Sequence, residues 1–190
     1  MPEQKAASGR EILDACCGGR HWWWDKAHPL ALYMDKREAS PGSIPPRPNW
    51  SCEPDVLGDF RAMPFDDGTF QLVVFDPPHN IRKEPAGYNG MRYGALPADT
   101  EQDDLRRGFA ECWRVLAPGG TLVFKWAGPV DRVEPHYPAA PIVGTRYAPR
   151  GSKGLGTRWF IFYKPMLNVH PMLTGAVCSW CHRRPGEKAA

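Results

Sequence analysis

The chain has 190 residues, of which 42% are hydrophobic, and this length suits one well-buried domain but is too short for two ordinary ones. Its formal charge is +3, and it holds neither a run of 18 apolar residues nor an apolar N-terminal segment, so we expect no membrane span and no secretory signal. Its six cysteines, of which Cys16 and Cys17 are adjacent, do not resemble a disulfide framework, which favours a reducing, cytoplasmic compartment.

Short apolar runs bounded by turn residues predict six strands along the chain. Each of the first four runs ends in an aspartate, at positions 14, 35, 59 and 76. In an open, mostly parallel α/β sheet, ligands bind at the carboxyl ends of the strands, so polar residues there indicate a binding edge. The predicted strands cover residues 11–14, 30–35, 56–59, 71–76, 121–126 and 159–164.

The clearest helix spans about residues 103–116, where apolar side chains recur at intervals of three and four. Asp99 or Thr100 can cap it, and the Pro-Gly-Gly sequence at 118–120 ends it and leads into the fifth strand. Other helices are expected to be shortened to loops, because residues 36–54 contain five prolines where such folds normally place a helix.

Three tryptophans, Trp22, Trp23 and Trp24, follow the glycine-containing turn after the first strand. Adjacent side chains point in different directions on any backbone, so at least one of the three is expected to pack in the core. Stacking on a base or shielding of a cofactor is the alternative role for this group.

Asp76-Pro77-Pro78-His79 follows the fourth predicted strand. Two consecutive prolines fix φ and lack backbone donors, so the carbonyls at this corner can face a ligand. An amino group held there would donate one hydrogen to the Asp76 carboxylate and another to the Pro77 carbonyl. Because this draws the nitrogen lone pair out of ring conjugation and directs it at an electrophile, the corner indicates methylation of an exocyclic amine. A plain strand-to-loop turn is the alternative.

Residues 80–97 combine basic and aromatic side chains with three glycines, a composition typical of a mobile loop that stacks bases and binds phosphate. A plain surface loop is the alternative. Substrate contacts are predicted for Arg82, Tyr88 and Tyr93 of this loop. Lys125, at the end of the fifth strand, is a further candidate for a phosphate contact, although a helix-dipole or surface role is equally open.

The Asp-Pro-Pro-aromatic pattern after a hydrophobic strand resembles the catalytic motif of amino-directed DNA methyltransferases, with His79 in place of the usual Tyr, Phe or Trp. An imidazole can still stack on a flipped base. Residues 12–20 resemble the first motif of class I S-adenosylmethionine-dependent methyltransferases, and residues 57–65 and 116–122 resemble later motifs of that family in the same order.

Taken together, the motifs cover about residues 11–126, and the combination resembles the small class I enzymes encoded by phages and prophages. The resemblance implies an α/β, Rossmann-like class I methyltransferase fold with a mostly parallel open sheet. The run at 159–164 would be its antiparallel last strand. No segment resembles the target-recognition domain of the larger sequence-specific DNA enzymes.

The same resemblance implies S-adenosyl-L-methionine as the cofactor. Asp14 would meet its ammonium group, Asp35 would accept both ribose hydroxyls, and Asp59 would meet the adenine amino group. Cys16 and Arg20 stand where the family usually has glycine. The predicted cofactor-binding residues are Asp14, Cys16, Cys17, Gly18, Gly19, Asp35, Lys36, Asp59 and Phe60.

The predicted function is methyl transfer from this cofactor to an exocyclic amino nitrogen of a nucleobase, with adenine N6 in DNA preferred. Asp76, Pro77, Pro78 and His79 are the predicted catalytic residues, and a nucleic acid is the expected partner, in a bacterial or phage-infected cell. The alternatives are methylation of RNA, of a free modified nucleobase or of a protein amide, and a non-catalytic nucleic-acid-binding module on the same fold.

Residues 1–165 are predicted to form the catalytic domain, followed by a basic C-terminal tail at 166–190. Residues 125–190 carry 10 basic and 3 acidic side chains, whereas residues 1–124 carry 14 and 18. This asymmetry suits a polyanionic substrate, with a solvated surface as the alternative. Cys178 and Cys181 in the tail are half of a zinc-ligand pattern, but a structural zinc needs four ligands, so no metal is predicted.

Overall fold

The computed structural model describes residues 9–44, 47–81, 87–144 and 156–166, and one six-stranded sheet forms its centre. All six predicted strands are present, although the fifth begins earlier and the third ends earlier than predicted. The strands are β1 Ile12–Asp14, β2 Ala31–Asp35, β3 Val56–Leu57, β4 Phe70–Phe75, β5 Leu116–Trp126 and β6 Arg158–Tyr163.

The strand order is β3-β2-β1-β4-β5-β6, and β1 to β5 all run parallel to one another. Strand β6 runs antiparallel to β5, from the pair Thr121 and Tyr163 to the pair Trp126 and Arg158. Because β1 pairs with β2 on one side and β4 on the other, its carboxyl end is the point where the strand order reverses. This sheet confirms the predicted α/β, Rossmann-like fold, which is mostly parallel with an antiparallel last strand.

Helices are few, as predicted. Among the described residues, no α-helix joins β1 to β2, β2 to β3 or β3 to β4. Two α-helices, α1 at Gly87–Tyr93 and α2 at Glu101–Val115, lie between β4 and β5. Two single 3-10 turns, Val130–Arg132 and Glu134–His136, follow β5.

Helix α1 corrects the expectation that residues 80–97 form a loop throughout. Its two glycines disfavour a helix in isolation. Tyr88 of α1, however, packs against a buried cluster of Ile44, Trp50 and Cys52 from the proline-rich segment that follows β2. Tertiary packing therefore stabilises a helix that local propensity does not predict.

Helix α2 lies where the apolar periodicity predicts it, but its capping differs from the prediction. Thr100 is the N-cap residue, yet its side chain makes no capping hydrogen bond. Its Oγ1 donates instead to Asp104 Oδ2 at 3.0 Å. Asp104 is buried and its other oxygen forms an ion pair with Arg61 at 2.8 Å, so the threonine hydroxyl helps to satisfy a buried carboxylate.

An aromatic core joins α2 to the sheet. The Phe109 ring packs edge-on against Phe75 of β4 and Phe124 of β5, with ring centroids 5.3 Å and 4.8 Å away. Gly108 allows this close approach, because a Cβ at that position would lie 2.7 Å from both Phe60 Cδ2 and Phe75 Cζ. Helix α2 can therefore pack this closely against the Phe60 and Phe75 rings only because residue 108 is a glycine.

Within the described ranges, no helix is both long enough and apolar enough to cross a membrane. Arg82 and residues 167–190, with Cys178 and Cys181, lie outside the described residues. The division into a catalytic domain at 1–165 and a tail at 166–190 stays a prediction.

Replacing Gly108 with alanine is expected to destabilise the protein, although alanine favours helix by about 1 kcal/mol over glycine. The added methyl group would overlap the Phe60 and Phe75 rings, and such overpacking costs roughly 1–3 kcal/mol. We therefore expect a lower urea midpoint for Gly108→Ala. Arg107→Ala, at the adjacent exposed position, should stay within about 0.5 kcal/mol of the parent. Equal or higher stability of Gly108→Ala would contradict the described packing.

Candidate functional site

Three aspartates meet at the carboxyl edge of the sheet. Asp14 ends β1 and Asp35 ends β2, while Asp76 directly follows β4, so they occupy three neighbouring strands. Asp35 and Asp76 both lie close enough to Asp14 to act on its charge. The parallel directions of β2, β1 and β4 thus bring together residues that are far apart in the sequence.

Asp14 is the most buried of the three, with 3% of its surface exposed. Its Oδ1 accepts a hydrogen bond from the backbone N–H of Cys16 at 3.3 Å, and its Oδ2 accepts one from Trp23 Nε1 at 2.8 Å. Burial raises the pKa of Asp14 to about 7 despite these two bonds, and the charges of Asp76 and Asp35 add to the rise. A cation beside this carboxyl group would favour its ionised form.

The glycine turn after β1 is tied to Asp35. Gly18 has a φ of +46°, in the left-handed region that favours glycine, and its N–H donates to Asp35 Oδ2 at 3.0 Å. Arg37 donates to Oδ1 from its backbone N–H at 2.9 Å and from Nε at 3.1 Å. Asp35 is therefore paired with a cation of its own chain. On the open side of Gly18, no atom lies within 4 Å of the position that a Cβ would take.

The cysteines of the turn have structural contacts. Cys16 is partly buried, and Cys17 lies in a small cluster with Ala31 and Tyr33. The Sγ atoms of Cys17 and Cys52 and a carboxylate oxygen of Asp35 all lie within 4.8 Å of one another. A hydrogen bond to Cys52 and burial raise the pKa of the Cys17 thiol far above its ordinary value. This group links the glycine turn to the proline-rich segment.

Asp76 lies at the centre of a network of donors. Its Oδ2 accepts from Trp22 Nε1 at 2.6 Å and from Lys125 Nζ at 2.7 Å, and its Oδ1 lies 2.9 Å from His79 Nε2. The last pair is at ion-pair distance, but the ring N–H is not aligned for a hydrogen bond, so Oδ1 is buried with no donor directed at it. Burial alone would raise the pKa of Asp76, but His79 and Lys125 hold it below its ordinary value.

His79, predicted to stack on or orient a base, lies against Asp76 and Trp126. Its ring meets the Trp126 ring edge-on, with centroids 5.1 Å apart, and its side chain is 22% exposed. Neither ring nitrogen has a hydrogen-bond partner among the described residues. The imidazole is therefore adjacent to the acceptor carboxylate, and its contact with a base stays a prediction.

The expectation that at least one tryptophan of the 22–24 group packs in the core is met in part, because Trp23 packs against the small core cluster that contains Tyr33, with ring centroids 5.1 Å apart. Trp22 and Trp23 are only half-buried, and Trp24 is exposed. The two half-buried indoles act as hydrogen-bond donors, Trp22 to Asp76 and Trp23 to Asp14. Sequence reasoning missed these roles, and the only signal for them was the position of the group directly after the glycine turn, since a buried indole N–H needs an acceptor.

The remaining predicted cofactor residues differ in their surroundings. Asp59 follows β3, and Arg61 binds both of its carboxylate oxygens, at 2.9 Å and 2.5 Å. Phe60 is 5% exposed and packs against Phe75 in the core. The side chain of Lys36 is exposed. The cofactor contacts of these three residues stay predictions.

Of the predicted substrate residues, Tyr88 and Tyr93 lie in helix α1 and Lys125 lies near the end of β5. Tyr93 is 44% exposed, with its ring 4.7 Å from the Arg92 guanidinium. Tyr88 accepts hydrogen bonds from Arg47 Nε at 3.1 Å and from Arg92 Nη1 at 3.5 Å. Lys125 binds Asp76, so its ammonium group acts inside the site rather than on the outer surface.

No protein-family model matches the chain, and no curated protein matches it. Among solved structures, it is similar to the PH0226 protein of Pyrococcus horikoshii, with 16% identity over 81% of each chain and a TM-score of 0.49. It is also similar to the N-methyltransferase NodS of Bradyrhizobium japonicum, with 16% identity over 84% of this chain and 89% of that one and a TM-score of 0.48. A TehB-like S-adenosylmethionine-dependent methyltransferase of Corynebacterium glutamicum has 14% identity over 85% and 88% of the chains and a TM-score of 0.45. These similarities are too distant to assign an activity.

The high pKa of Asp14 predicts that stability falls as the pH rises from about 4 to 7. Below the unfolded pKa of 3.8 both states hold the proton, whereas between 3.8 and about 7 only the folded state does. Relative to Asp14→Asn, the parent should therefore lose roughly 2–3 kcal/mol of unfolding free energy between about pH 5 and pH 7. Urea unfolding followed by circular dichroism measures this difference.

The control for this experiment is Asp131→Asn, which removes an exposed aspartate. Its pH dependence should match that of the parent. If the curves of the parent and Asp14→Asn run parallel, then Asp14 ionises in the folded protein at its ordinary pKa.

Proposed function

We propose that the protein is an S-adenosylmethionine-dependent N-methyltransferase that acts on an exocyclic amino nitrogen of a nucleobase, with adenine N6 in DNA preferred. The observation that carries the proposal is the Asp76 corner: a half-buried carboxylate with a pKa below its ordinary value, followed by two prolines and beside the Asp14 and Asp35 carboxylates. The Asp76 carboxylate is a rigid acceptor that can bind the substrate amine. The neighbouring glycine turn, beside Asp14 and Asp35, can bind S-adenosylmethionine, which carries both an amino-acid group and a nucleoside.

The cofactor side fits S-adenosylmethionine in its donor and acceptor groups. Asp14 would hold the ammonium group, because its buried carboxyl group lacks a cationic partner among the described residues. Asp35 would accept the ribose hydroxyls in place of donors from Arg37, because Gly18 and Arg37 already supply two hydrogen bonds to each of its oxygens. When bound, this cofactor supplies a methyl group on a positively charged sulfur, an electrophile that requires only a free nitrogen lone pair.

The substrate amine would be held by Asp76 and Pro77. Asp76 Oδ1 is a buried acceptor with no donor directed at it, and it can take one hydrogen of the amine. The Pro77 carbonyl can take the other. Trp22 and Lys125 fix the opposite oxygen, so the carboxylate does not turn when the amine arrives.

The protonation state of Asp76 suits this role. Since its pKa lies below the ordinary value, it is ionised at neutral pH and acts purely as an acceptor. No strong base is needed before the methyl group is transferred, and the amine proton leaves afterwards. A duplex would hide the amine in the base stack, so the target would be flipped out or single-stranded.

A non-catalytic nucleic-acid-binding module is the second candidate. The observation that favours it is that Asp35, Asp59 and Asp76 are all paired with basic side chains of the chain itself. Among methyl acceptors, RNA, a free modified nucleobase and a protein amide would satisfy the same Asp76 corner.

Transfer of a labelled methyl group tests the proposed function. Wild-type protein should label at least one of single-stranded DNA, double-stranded DNA, RNA or free nucleosides, and Asp76→Ala should reduce transfer by at least about 100-fold while cofactor binding persists. Asp131→Ala, at an exposed aspartate, serves as the control. Cofactor binding without labelling of any nucleic acid or nucleoside would refute the substrate class, and absence of cofactor binding would refute the enzyme.

Cofactor affinity should increase with pH if Asp14 holds the ammonium group. Binding requires the ionised carboxylate, and the free protein must first lose a proton whose pKa is about 7. The dissociation constant for S-adenosylmethionine, measured by calorimetry, should fall about tenfold between roughly pH 5.5 and pH 7. Asp14→Asn should bind weakly at both pH values, and a wild-type affinity that does not change with pH would argue against this role.

A further inference from the structure

A second concave surface lies beside the glycine turn. This cavity of about 530 Å³ is formed by the turn itself, the proline-rich segment and helix α1. Its charged lining is strongly unbalanced, since one carboxylate, that of Glu53, faces several cationic side chains. These are Arg20, Lys26, Arg47 and Arg92.

Arg47 and Arg92 make this cavity different from an ordinary charged surface. Both guanidinium groups donate to one phenol oxygen, that of Tyr88, so two like charges from different segments are held close together. Within the described ranges, no carboxylate lies within 4.0 Å of either guanidinium or of Lys26. Such a cluster is electrostatically unfavourable until an anion binds between its members.

Several donors in the cavity have no acceptor. Arg92 Nε is buried without a hydrogen-bond partner, as is Nε1 of Trp50, a residue that is 7% exposed. His21 Nε2 lies 3.0 Å from Arg92 Nη2, so this nitrogen accepts and the other ring nitrogen carries the proton. The cavity therefore offers unpaired donors and an excess of positive charge, which complement a phosphate group.

The remaining cation, Arg20, is already committed to the fold. Its guanidinium donates to the backbone oxygens of Lys26 and Glu53, and it lies 3.5 Å from Asp55 Oδ1. It also stacks over the Tyr33 ring at 3.8 Å. Lys26, Arg47 and Arg92 are therefore the cations available to a ligand, and the two arginines are the pair held together by Tyr88.

The cavity adjoins the proposed methyl-acceptor site. His21 lines it, and the next residue, Trp22, donates to Asp76. A group bound between Arg47 and Arg92 would therefore lie beside the chain segment that reaches the Asp76 carboxylate. A nucleotide has this form, with a base at one end and a phosphate at the other.

We propose that the cavity between Arg47 and Arg92 binds a phosphate group of the methyl acceptor. This inference rests on the proposed function and narrows it, because protein amides and unphosphorylated nucleobases lack the required group. The phosphate is either a phosphodiester of a nucleic-acid strand or the terminal group of a mononucleotide, and the two sources share the same chemistry. Sequence selectivity is not expected from this contact, since phosphate carries no base information.

Binding measurements on the full chain, without cofactor, test the proposal. The probes are a fluorescent single-stranded thymidine decamer, thymidine monophosphate, and thymidine as the uncharged control. Arg47→Gln/Arg92→Gln should weaken decamer binding about tenfold or more and lower the slope of log Kd against log salt by about 1. Arg47→Lys/Arg92→Lys keeps both charges and should retain most of the affinity.

Arg106→Gln is the matched control. It removes one exposed positive charge on α2, at the separate cavity of about 730 Å³ that Trp113 and Lys164 also line. Its affinity for the decamer should equal that of the parent. Thermal unfolding checks that each variant is folded, and S-adenosylmethionine binding, measured separately, should be unchanged in all of them.

The binding results distinguish a phosphodiester from a mononucleotide phosphate. A loss of decamer binding confined to the Arg47→Gln/Arg92→Gln variant supports a phosphodiester. A loss confined to thymidine monophosphate supports a mononucleotide. The proposal is overturned if neither phosphate probe depends on the two arginines, or if Arg106→Gln lowers affinity equally. If the wild type does not bind S-adenosylmethionine, the proposed function is refuted instead. Failure of the phosphate-site proposal can therefore be distinguished from failure of the proposed function.

Discussion

Three carboxylates brought close together at one edge of a sheet, two of them buried, are the constraint on which this structure depends. Parallel pairing of β1 with β2 and β4 brings Asp14, Asp35 and Asp76 to the strand-order reversal, where their charges repel. Each carboxylate meets this constraint in a different way. Asp14 has an indole and a backbone amide as partners and a raised pKa, Asp35 has a guanidinium, and Asp76 has an ammonium group and an indole.

Because the three aspartates have different partners, the carboxyl edge of the sheet presents different binding properties at each of them. Asp14 lacks a cationic partner among the described residues and is the position that gains most from a bound cation. Asp76 is ionised and held rigidly, which suits an acceptor for a neutral amine. Among the described residues no helix lies between β1 and β2, and the two indole bonds attach the segment after the glycine turn to the ends of β1 and β4.

The part of the sequence with the most basic residues is not the part that forms the basic cavity. The count of basic residues rises toward the C-terminus, and on that basis the sequence indicates a polyanion-binding tail. The cavity that holds the least-compensated arginines, however, is built from residues 18–53 and Arg92, in the part of the chain with more acidic than basic residues. Most acidic residues in that part of the chain form ion pairs or end strands away from this cavity. The net charge of a sequence segment therefore does not determine the electrostatic potential at the surface that the segment forms.

The strands, the long helix and the aspartates at the strand ends follow from the sequence alone, because apolar periodicity and turn residues act over a few neighbouring positions. Only the tertiary structure decided the partners of those aspartates. Trp22 and Lys125 reach Asp76 across 54 and 49 residues, and Tyr88 joins Arg47 across 41. Such pairings, like helix α1, depend on how the strands are ordered in the sheet and on which side chains are then left half-buried, and no local pattern encodes either.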